Sequence, residues 1–261
     1  HDRYRRQRQM CIRDRNTAIG NGALGSSTGG NYNVAIGQAC LTGGDGTPQY
    51  NTAIGVNALN STGTAAVSQV VAIGYEAATN INHTDANYTT AVGAYALAVL
   101  TSGEYNTAIG YAALAESCDI GGYNTAVGYG AQYKFNPSSD GHGNNTTVGY
   151  RAGYGNLTSE NNTMMGARAG EDVTGGNNTI IGREAALDGT SINHCVIIGA
   201  SAGSHSSMTG DTNIFIGSAA GDANTNGTNN IVIGGGSDGG ATQDYQITIG
   251  SQFNNDGDDN S

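Results

Sequence analysis

The sequence predicts an all-β protein, a parallel β-solenoid of about fourteen coils with 16–21 residues in each coil. Three observations support this fold. A motif close to Asn-Thr-Ala-Ile-Gly recurs along the chain, its terminal glycine returns at short and regular intervals, and 43 Gly residues accompany only 12% charged residues. A short period maintained over a whole chain is the signature of coils stacked on their neighbours. The anchor glycines are Gly20, Gly37, Gly55, Gly74, Gly93, Gly110, Gly128, Gly149, Gly166, Gly182, Gly199, Gly217, Gly234 and Gly250.

Each motif predicts one short strand just before its anchor glycine. Numbered from that glycine, position −1 is Ile, Val or Met in every coil, and position −3 is Thr, Val or Ile. β-Branched residues favour strands, and alternate residues of a strand share a face. We therefore assign positions −1 and −3 to the core of the solenoid.

Position −2 then lies on the opposite face, where a solenoid strand would normally be polar. It is Ala in the first seven coils and becomes larger and more apolar in most of the later ones. An apolar stripe of this length is not expected to remain in water. We therefore predict burial between subunits, most simply in a homotrimer. The candidate trimer interface is Met164, Ile180, Ile197, Phe215 and Val232.

Two further columns predict ladders along the stack. Asn occupies position −4 in ten coils and is expected to form an amide hydrogen-bond ladder. Tyrosines concentrate at position −5 and directly after the glycine, where an aromatic ladder is favoured over a glycan-binding row. The tyrosines are Tyr32, Tyr50, Tyr88, Tyr105, Tyr123 and Tyr245 at −5, and Tyr75, Tyr111, Tyr129 and Tyr150 at +1.

The two ends of the chain differ from the repeats. The run from Arg5 to Arg15 resembles the conceptual translation of a common sequencing adapter, and no apolar segment follows it. We predict that residues 1–15 are a non-native, disordered segment, that 16–250 form the β-solenoid repeat domain and that 251–261 are a truncated acidic tail. A basic nucleic-acid-binding arm or the start of a signal peptide is the alternative for residues 1–15.

Charge argues against nucleic-acid partners. Residues 1–15 hold six of the ten basic and two of the 21 acidic residues, so the remainder has four basic and 19 acidic residues and a formal charge of −15. A chain with this negative charge lacks the basic patch that nucleic-acid binding requires. No apolar stretch is long enough to span a membrane, so no membrane insertion is expected.

No enzymatic, metal or cofactor site is predicted. The histidines occupy unrelated coil positions, and Cys40, Cys118 and Cys195 have no paired spacing, so we expect them to be small buried residues. Residues 222–227 match the start of a calcium loop, but the twelfth position is Ile233 where a glutamate is needed. Residues 19–24 fit one hexapeptide of the acyltransferase helices, but that hexapeptide does not repeat within each coil.

The longest interval between anchor glycines is expected to project from the stack. It contains the sole lysine of the chain and one of its two prolines. Projecting loops often carry specific contacts. The candidate contact loop comprises Lys134, Phe135, Asp140 and His142.

The unit Asn-Thr-Ala-Ile-Gly-x-x-Ala-Leu, at residues 51–59 and 106–114, resembles the head repeats of trimeric autotransporter adhesins and the related repeats of phage tail-fibre proteins. The resemblance covers residues 16–250, although adhesin head repeats are shorter, with about 14 residues each. It implies a left-handed parallel β-roll assembled as a homotrimer at a bacterial cell surface or on a phage tail.

The function expected from these observations is that of a non-enzymatic, extracellular structural and adhesive rod that contacts a cell-surface receptor or glycan. The alternative is a monomeric ice- or glycan-binding β-solenoid. Ice binding is disfavoured at this stage because the threonines of position −3 share the face assigned to the core.

Overall fold

The protein is described by a computed structural model that covers residues 15–25, 30–42, 47–60, 67–81, 86–99, 103–116, 121–135, 143–155, 159–189, 191–204, 208–237 and 242–250. Apart from Arg15, the predicted non-native segment lies outside these residues, as does the predicted acidic tail. The chain divides into two compact units, unit 1 up to Asn145 and unit 2 from Thr146 onward. The predicted fold class is confirmed, because each unit is a stack of parallel strands.

Every strand has three residues and ends directly before an anchor glycine. Unit 1 contains β1 Thr17–Ile19, β2 Val34–Ile36, β3 Thr52–Ile54, β4 Val71–Ile73, β5 Thr90–Val92, β6 Thr107–Ile109 and β7 Thr125–Val127. Unit 2 contains β8 Thr146–Val148, β9 Thr163–Met165, β10 Thr179–Ile181, β11 Val196–Ile198, β12 Ile214–Ile216, β13 Ile231–Ile233 and β14 Ile247–Ile249.

Within each unit, sequence neighbours pair in parallel with equal positions of the repeat opposite each other. In unit 1, Ala35 of β2 lies opposite Ala53 of β3. In unit 2, Ile180 of β10 lies opposite Ile197 of β11. This register is what a repeat of nearly constant length dictates, since each coil returns the chain to the same place one strand spacing further along.

The anchor glycines end the strands because no other residue fits there. Gly37 has φ of 143° and Gly182 has φ of 140°, a region that side-chain-bearing residues rarely adopt. A Cβ atom on Gly37 would overlap the carbonyl oxygen of Gly55, the next anchor, and one on Gly182 would overlap that of Gly199. The glycine column therefore permits both the bend and the close stacking of coils.

The predicted asparagine ladder is confirmed and bonds mainly to the backbone. In unit 1, the Asn51 N–H donates to Asn33 Oδ1 at 3.0 Å, and the Asn33 Nδ2 donates to the carbonyl oxygen of Pro48 at 2.7 Å. In unit 2, the Asn178 N–H donates to Asn162 Oδ1 at 2.9 Å. Each buried amide thus satisfies backbone groups that the three-residue strands leave unpaired. Cys195 replaces asparagine in one coil.

The assignment of strand faces made from the sequence is wrong. Position −2 points into the coil, and from Ala35 onward its alanines in unit 1 are fully buried. We call position −2 the core column, and the five residues of the predicted trimer interface belong to it. These five residues are fully buried within the isolated chain, so they are not available to a partner. They are Met164, Ile180, Ile197, Phe215 and Val232.

The side chains of the core column are mostly larger in unit 2 than in unit 1, because the side chains of a second buried column are mostly smaller there. Position +4, which we call the turn column, is mostly Leu in unit 1, as at Leu59 and Leu114, where the core column is Ala. In unit 2 the described positions of this column are glycine, as at Gly221, except for Ala186. A Cβ atom on Gly221 would lie 2.6–2.7 Å from ring atoms of Phe215. The two columns therefore share one interior space, and close packing requires that one shrinks where the other grows.

The core of unit 2 contains a polar defect at Asn224. This residue stands seven positions after its anchor glycine, where the equivalent positions Ile81, Phe135 and Val173 are buried and apolar. Asn224 is also fully buried, and neither of its side-chain amide atoms has a hydrogen-bond partner in the described part of the chain. Leaving such a group unpaired is costly.

The substitution Asn224→Val is expected to stabilise unit 2, because it removes two unpaired buried polar atoms and restores the apolar column. The free energy of unfolding should rise by about 1–3 kcal/mol, measured by urea denaturation followed by circular dichroism. Asn230→Val is the matched control and should destabilise, since the Asn230 Nδ2 donates to the carbonyl oxygen of Gln243. Loss of stability in Asn224→Val would show that the amide is satisfied.

Candidate interaction faces

Positions −1 and −3 form the outer strand face of each unit. No residue in these two columns is buried. Ile109 of unit 1 is 40% exposed and Ile216 of unit 2 is 36% exposed. Both columns consist of Ile, Val, Met and Thr, without a charged residue. An apolar face that is repeated in successive strands is the surface of this chain most suited to covering by another protein surface.

Tyrosines are exposed in rows beside the strands of unit 1. One row, at position −5, contains Tyr88, Tyr105 and Tyr123, whose ring centroids are 4.9 Å and 5.1 Å apart in successive pairs. These rings are stacked, with interplanar angles of 9° and 21°. Tyr32 and Tyr50 form a further stacked pair in the same column. The predicted aromatic ladder is therefore present in this unit.

A second row, after the glycine, is less regular. Tyr95 contacts Tyr75 and Tyr111 edge to face, with interplanar angles of 79° and 76°. Tyr111 and Tyr129 are stacked, with centroids 5.1 Å apart. A sugar ring binds an aromatic residue through its open face, and the stacked rings cover each other's faces. The rows are accordingly poorly arranged as a glycan platform.

Acidic neighbours influence two of these phenols. A hydrogen bond and the negative charge of Glu76 raise the pKa of Tyr75 to about 12. Removal of water by the stacked rings, together with the charge of Glu104, raises the pKa of Tyr105. Both hydroxyls therefore stay protonated and neutral across the physiological range.

The basic side chains of unit 2 are held in ion pairs. Arg151 and Arg168, in adjacent coils, both bind the carboxylate of Glu171, whose side chain is only 4% exposed. Arg183 pairs with Glu184. The guanidinium of Arg151 also lies over the ring of Tyr154, 4.2 Å from its centroid. This cluster links neighbouring coils and leaves little free positive charge for an anionic ligand.

The predicted contact loop is only partly within the described residues. Lys134 is exposed, as a contact residue should be, but Phe135 is fully buried in the apolar column described above. The expectation that Phe135 is a contact residue is therefore wrong, since its ring packs inside the core. Asp140 and His142 lie outside the described residues.

The calcium-like segment is engaged in internal contacts. Asp222 Oδ1 accepts a hydrogen bond from Ser204 Oγ at 2.9 Å, and Asn224 is directed into the core. Ile233 lies on the outer strand face. Among the described residues, no group of three or more His, Cys, Asp or Glu side chains is arranged to hold a metal ion.

The thiols of Cys40 and Cys195 are free and buried, as the sequence predicts, whereas Cys118 is outside the described residues. Burial raises the pKa of both thiols to about 11. Since the thiolate is the nucleophilic form, neither is poised for chemistry at neutral pH. Cys195 instead takes the place of an asparagine in the asparagine ladder, where its Sγ accepts a hydrogen bond from the N–H of Asn213 at 3.4 Å.

Comparisons with known proteins identify no relative. The chain matches no protein-family model, and searches of curated proteins and of solved structures give no significant match. In the part of the chain that the structure describes, no helix is long and apolar enough to cross a membrane.

Proposed function

We propose that this chain is a non-enzymatic structural and adhesive element that acts as a homotrimer. It would be a fragment of a surface adhesin or phage tail fibre that mediates attachment outside the cell, through a receptor or glycan. The observation that carries this proposal is the outer strand face, which in the isolated chain is uncharged, consists mainly of Ile, Val and Thr, and is partly exposed to solvent.

Copies of the same chain suit this face better than an unrelated partner. The whole chain carries a formal charge of −11, so copies repel each other over most of their surfaces. The outer strand face lacks charge and is free of this repulsion. Every copy also repeats at the same coil spacing, which lets Ile and Val columns of neighbours interlock along their length. Three copies around one axis would cover the face of each chain.

Light scattering coupled to size-exclusion chromatography tests the proposal on the full chain. A mass three times that of the chain is expected, and it should persist on dilution and at high salt because apolar contacts are not screened. A protein that remains monomeric at every concentration would exclude the homotrimer.

A second candidate, a monomer whose outer face orders water or ice, is favoured by one observation. The threonine column at position −3 faces outward, as at Thr52, Thr107 and Thr163, and not into the core. Ice binding is disfavoured only if these threonines lie in the core, and that expectation is wrong. A monomer that inhibits ice recrystallisation would support this candidate, and a trimer that lacks this activity would exclude it.

A further inference from the structure

We propose that the stacked tyrosines of unit 1 are sites of oxidative cross-linking, at which neighbouring coils become joined by dityrosine bonds. The strongest site is the row of Tyr88, Tyr105 and Tyr123. This inference concerns contacts within one chain and does not depend on the homotrimer.

The geometry brings the coupling partners together before any reaction. The ring centroids in this row are separated by 4.9 Å and 5.1 Å, and the planes are within 21° of parallel. Strand pairing sets this spacing, since adjacent strands lie about 4.8 Å apart. Two radicals formed on neighbouring rings would therefore meet without a search through other conformations, and this arrangement favours coupling.

The row is also open to an oxidant. Tyr88, Tyr105 and Tyr123 are each 44–49% exposed, so ring edges and hydroxyl groups reach solvent. The proton that each phenol loses on oxidation can pass directly to the water that reaches its hydroxyl group.

The reaction balances with hydrogen peroxide, acting through a haem peroxidase, as the oxidant. Each of two phenols loses one electron and one proton to give a phenoxyl radical. The radicals form one carbon–carbon bond between ring positions ortho to the oxygens, and the two ortho hydrogens then return to the oxygens. Two tyrosines and one peroxide thus give one dityrosine and two water molecules.

Tyr245 separates the effect of stacking from that of exposure. It is 79% exposed, more than any tyrosine of the row, and has no aromatic neighbour among the described residues. If exposure alone controlled the reaction, Tyr245 would be the first tyrosine to be consumed into dityrosine. If stacking controls it, cross-links should form within the row and Tyr245 should remain largely uncoupled.

The test treats the full folded chain with horseradish peroxidase and hydrogen peroxide and follows dityrosine fluorescence. Mass spectrometry with fragmentation then locates the cross-linked peptides in every band of a denaturing gel, so that coupling within one chain is distinguished from coupling between chains. We expect Tyr88–Tyr105 and Tyr105–Tyr123 cross-links, together with Tyr32–Tyr50 from the same column and Tyr111–Tyr129 from the second row. The same treatment in urea should abolish this selectivity.

Tyr105→Phe is the decisive variant, because it retains the stacked ring but removes the phenol. Both cross-links of the row should be lost, while the Tyr111–Tyr129 product persists as an internal control. Tyr245→Phe should leave the cross-linked products unchanged. The proposal is overturned if no dityrosine forms in the folded chain. It is equally overturned if Tyr245 couples as readily as the row, or if Tyr105→Phe retains the same total yield.

Discussion

Replacing Phe215 by alanine is expected to destabilise unit 2 by roughly 3–5 kcal/mol, the usual cost of deleting a fully buried aromatic ring. Phe215 is completely buried and belongs to the apolar cluster of this unit. Its ring fills the space that Gly221 leaves open, so its loss creates a cavity that the rigid stack of coils cannot easily close. Urea denaturation of the full chain, followed by circular dichroism, measures the effect.

Substitutions at Gly221 in the turn column test whether the loss of stability comes from the space that Phe215 fills. Gly221→Leu alone should also be strongly destabilising, because its Cβ atom would meet the Phe215 ring at 2.6–2.7 Å. The double variant Phe215→Ala/Gly221→Leu reproduces the arrangement of Ala108 and Leu114 in unit 1. Leu114 has φ of 50° and Gly221 has φ of 67°, so leucine is accommodated in this backbone region at a cost of about 1–2 kcal/mol.

The double variant should therefore recover most, but not all, of the stability lost in the single variants. A double-mutant cycle then yields a large favourable coupling between the two positions. Additive losses would contradict the proposed exchange of volume between the core and turn columns. Gly235→Leu is a matched control, because a Cβ atom there would meet no heavy atom closer than 3.8 Å.

The second large effect concerns association. The double variant Ile109→Asp/Ile216→Asp places one charge on the outer strand face of each unit and is expected to convert the proposed homotrimer into monomers that keep their β-structure. A buried unpaired charge costs about 3–5 kcal/mol, and each trimer would contain six of them. Light scattering measures the mass, and circular dichroism measures the strand content.

Adjacent residues on opposite faces provide the control. Phe215→Asp changes the neighbour of Ile216 in the same strand and should unfold unit 2, because its side chain points into the core. Asn57→Asp/Asn226→Asp adds the same charge in turns and should leave both mass and structure unchanged. Dissociation in this turn variant would attribute the effect to net charge, and a stable trimer in Ile109→Asp/Ile216→Asp would place the contact elsewhere.

Much of the coil could be predicted from local sequence. The spacing of anchor glycines gave the stack and its register, since a parallel pairing such as Ala35 with Ala53 follows from equal positions in equal repeats. The asparagine ladder was predictable because asparagine recurs at one position of the repeat. The tyrosine ladder was predictable for the same reason. These features repeat from coil to coil, so the signal accumulates along the chain.

The sequence predicts the candidate interaction face on the wrong side of the strand. A three-residue strand places two side chains on one face and one on the other, and here both faces are apolar. Side-chain size favours the larger Ile and Val residues inside and Ala outside. Hydrophobicity alone cannot separate these alternatives, because it does not report how wide the interior of a coil is.

One available signal was overlooked. The change from Ala to Met, Ile or Phe at position −2 coincides with a change from mostly Leu to mostly Gly at position +4, with Ala186 in the coil of Ile180. Such compensation indicates contact, because two positions that share a closed space must keep their joint volume constant. The two columns together indicate that Phe215 contacts the turn column, but they do not show whether that shared space is the interior of the coil.

The sequence by itself determined the repeat, the strand positions, the glycine bends and the asparagine ladder, because each depends on residues a few positions apart or one coil apart. Only the tertiary structure decided which strand face is buried, because burial depends on what the chain packs against across the coil. Leucine or glycine six residues beyond the core column decides whether alanine or phenylalanine fits there. That choice leaves the Ile, Val and Thr columns outside, where they form the outer strand face.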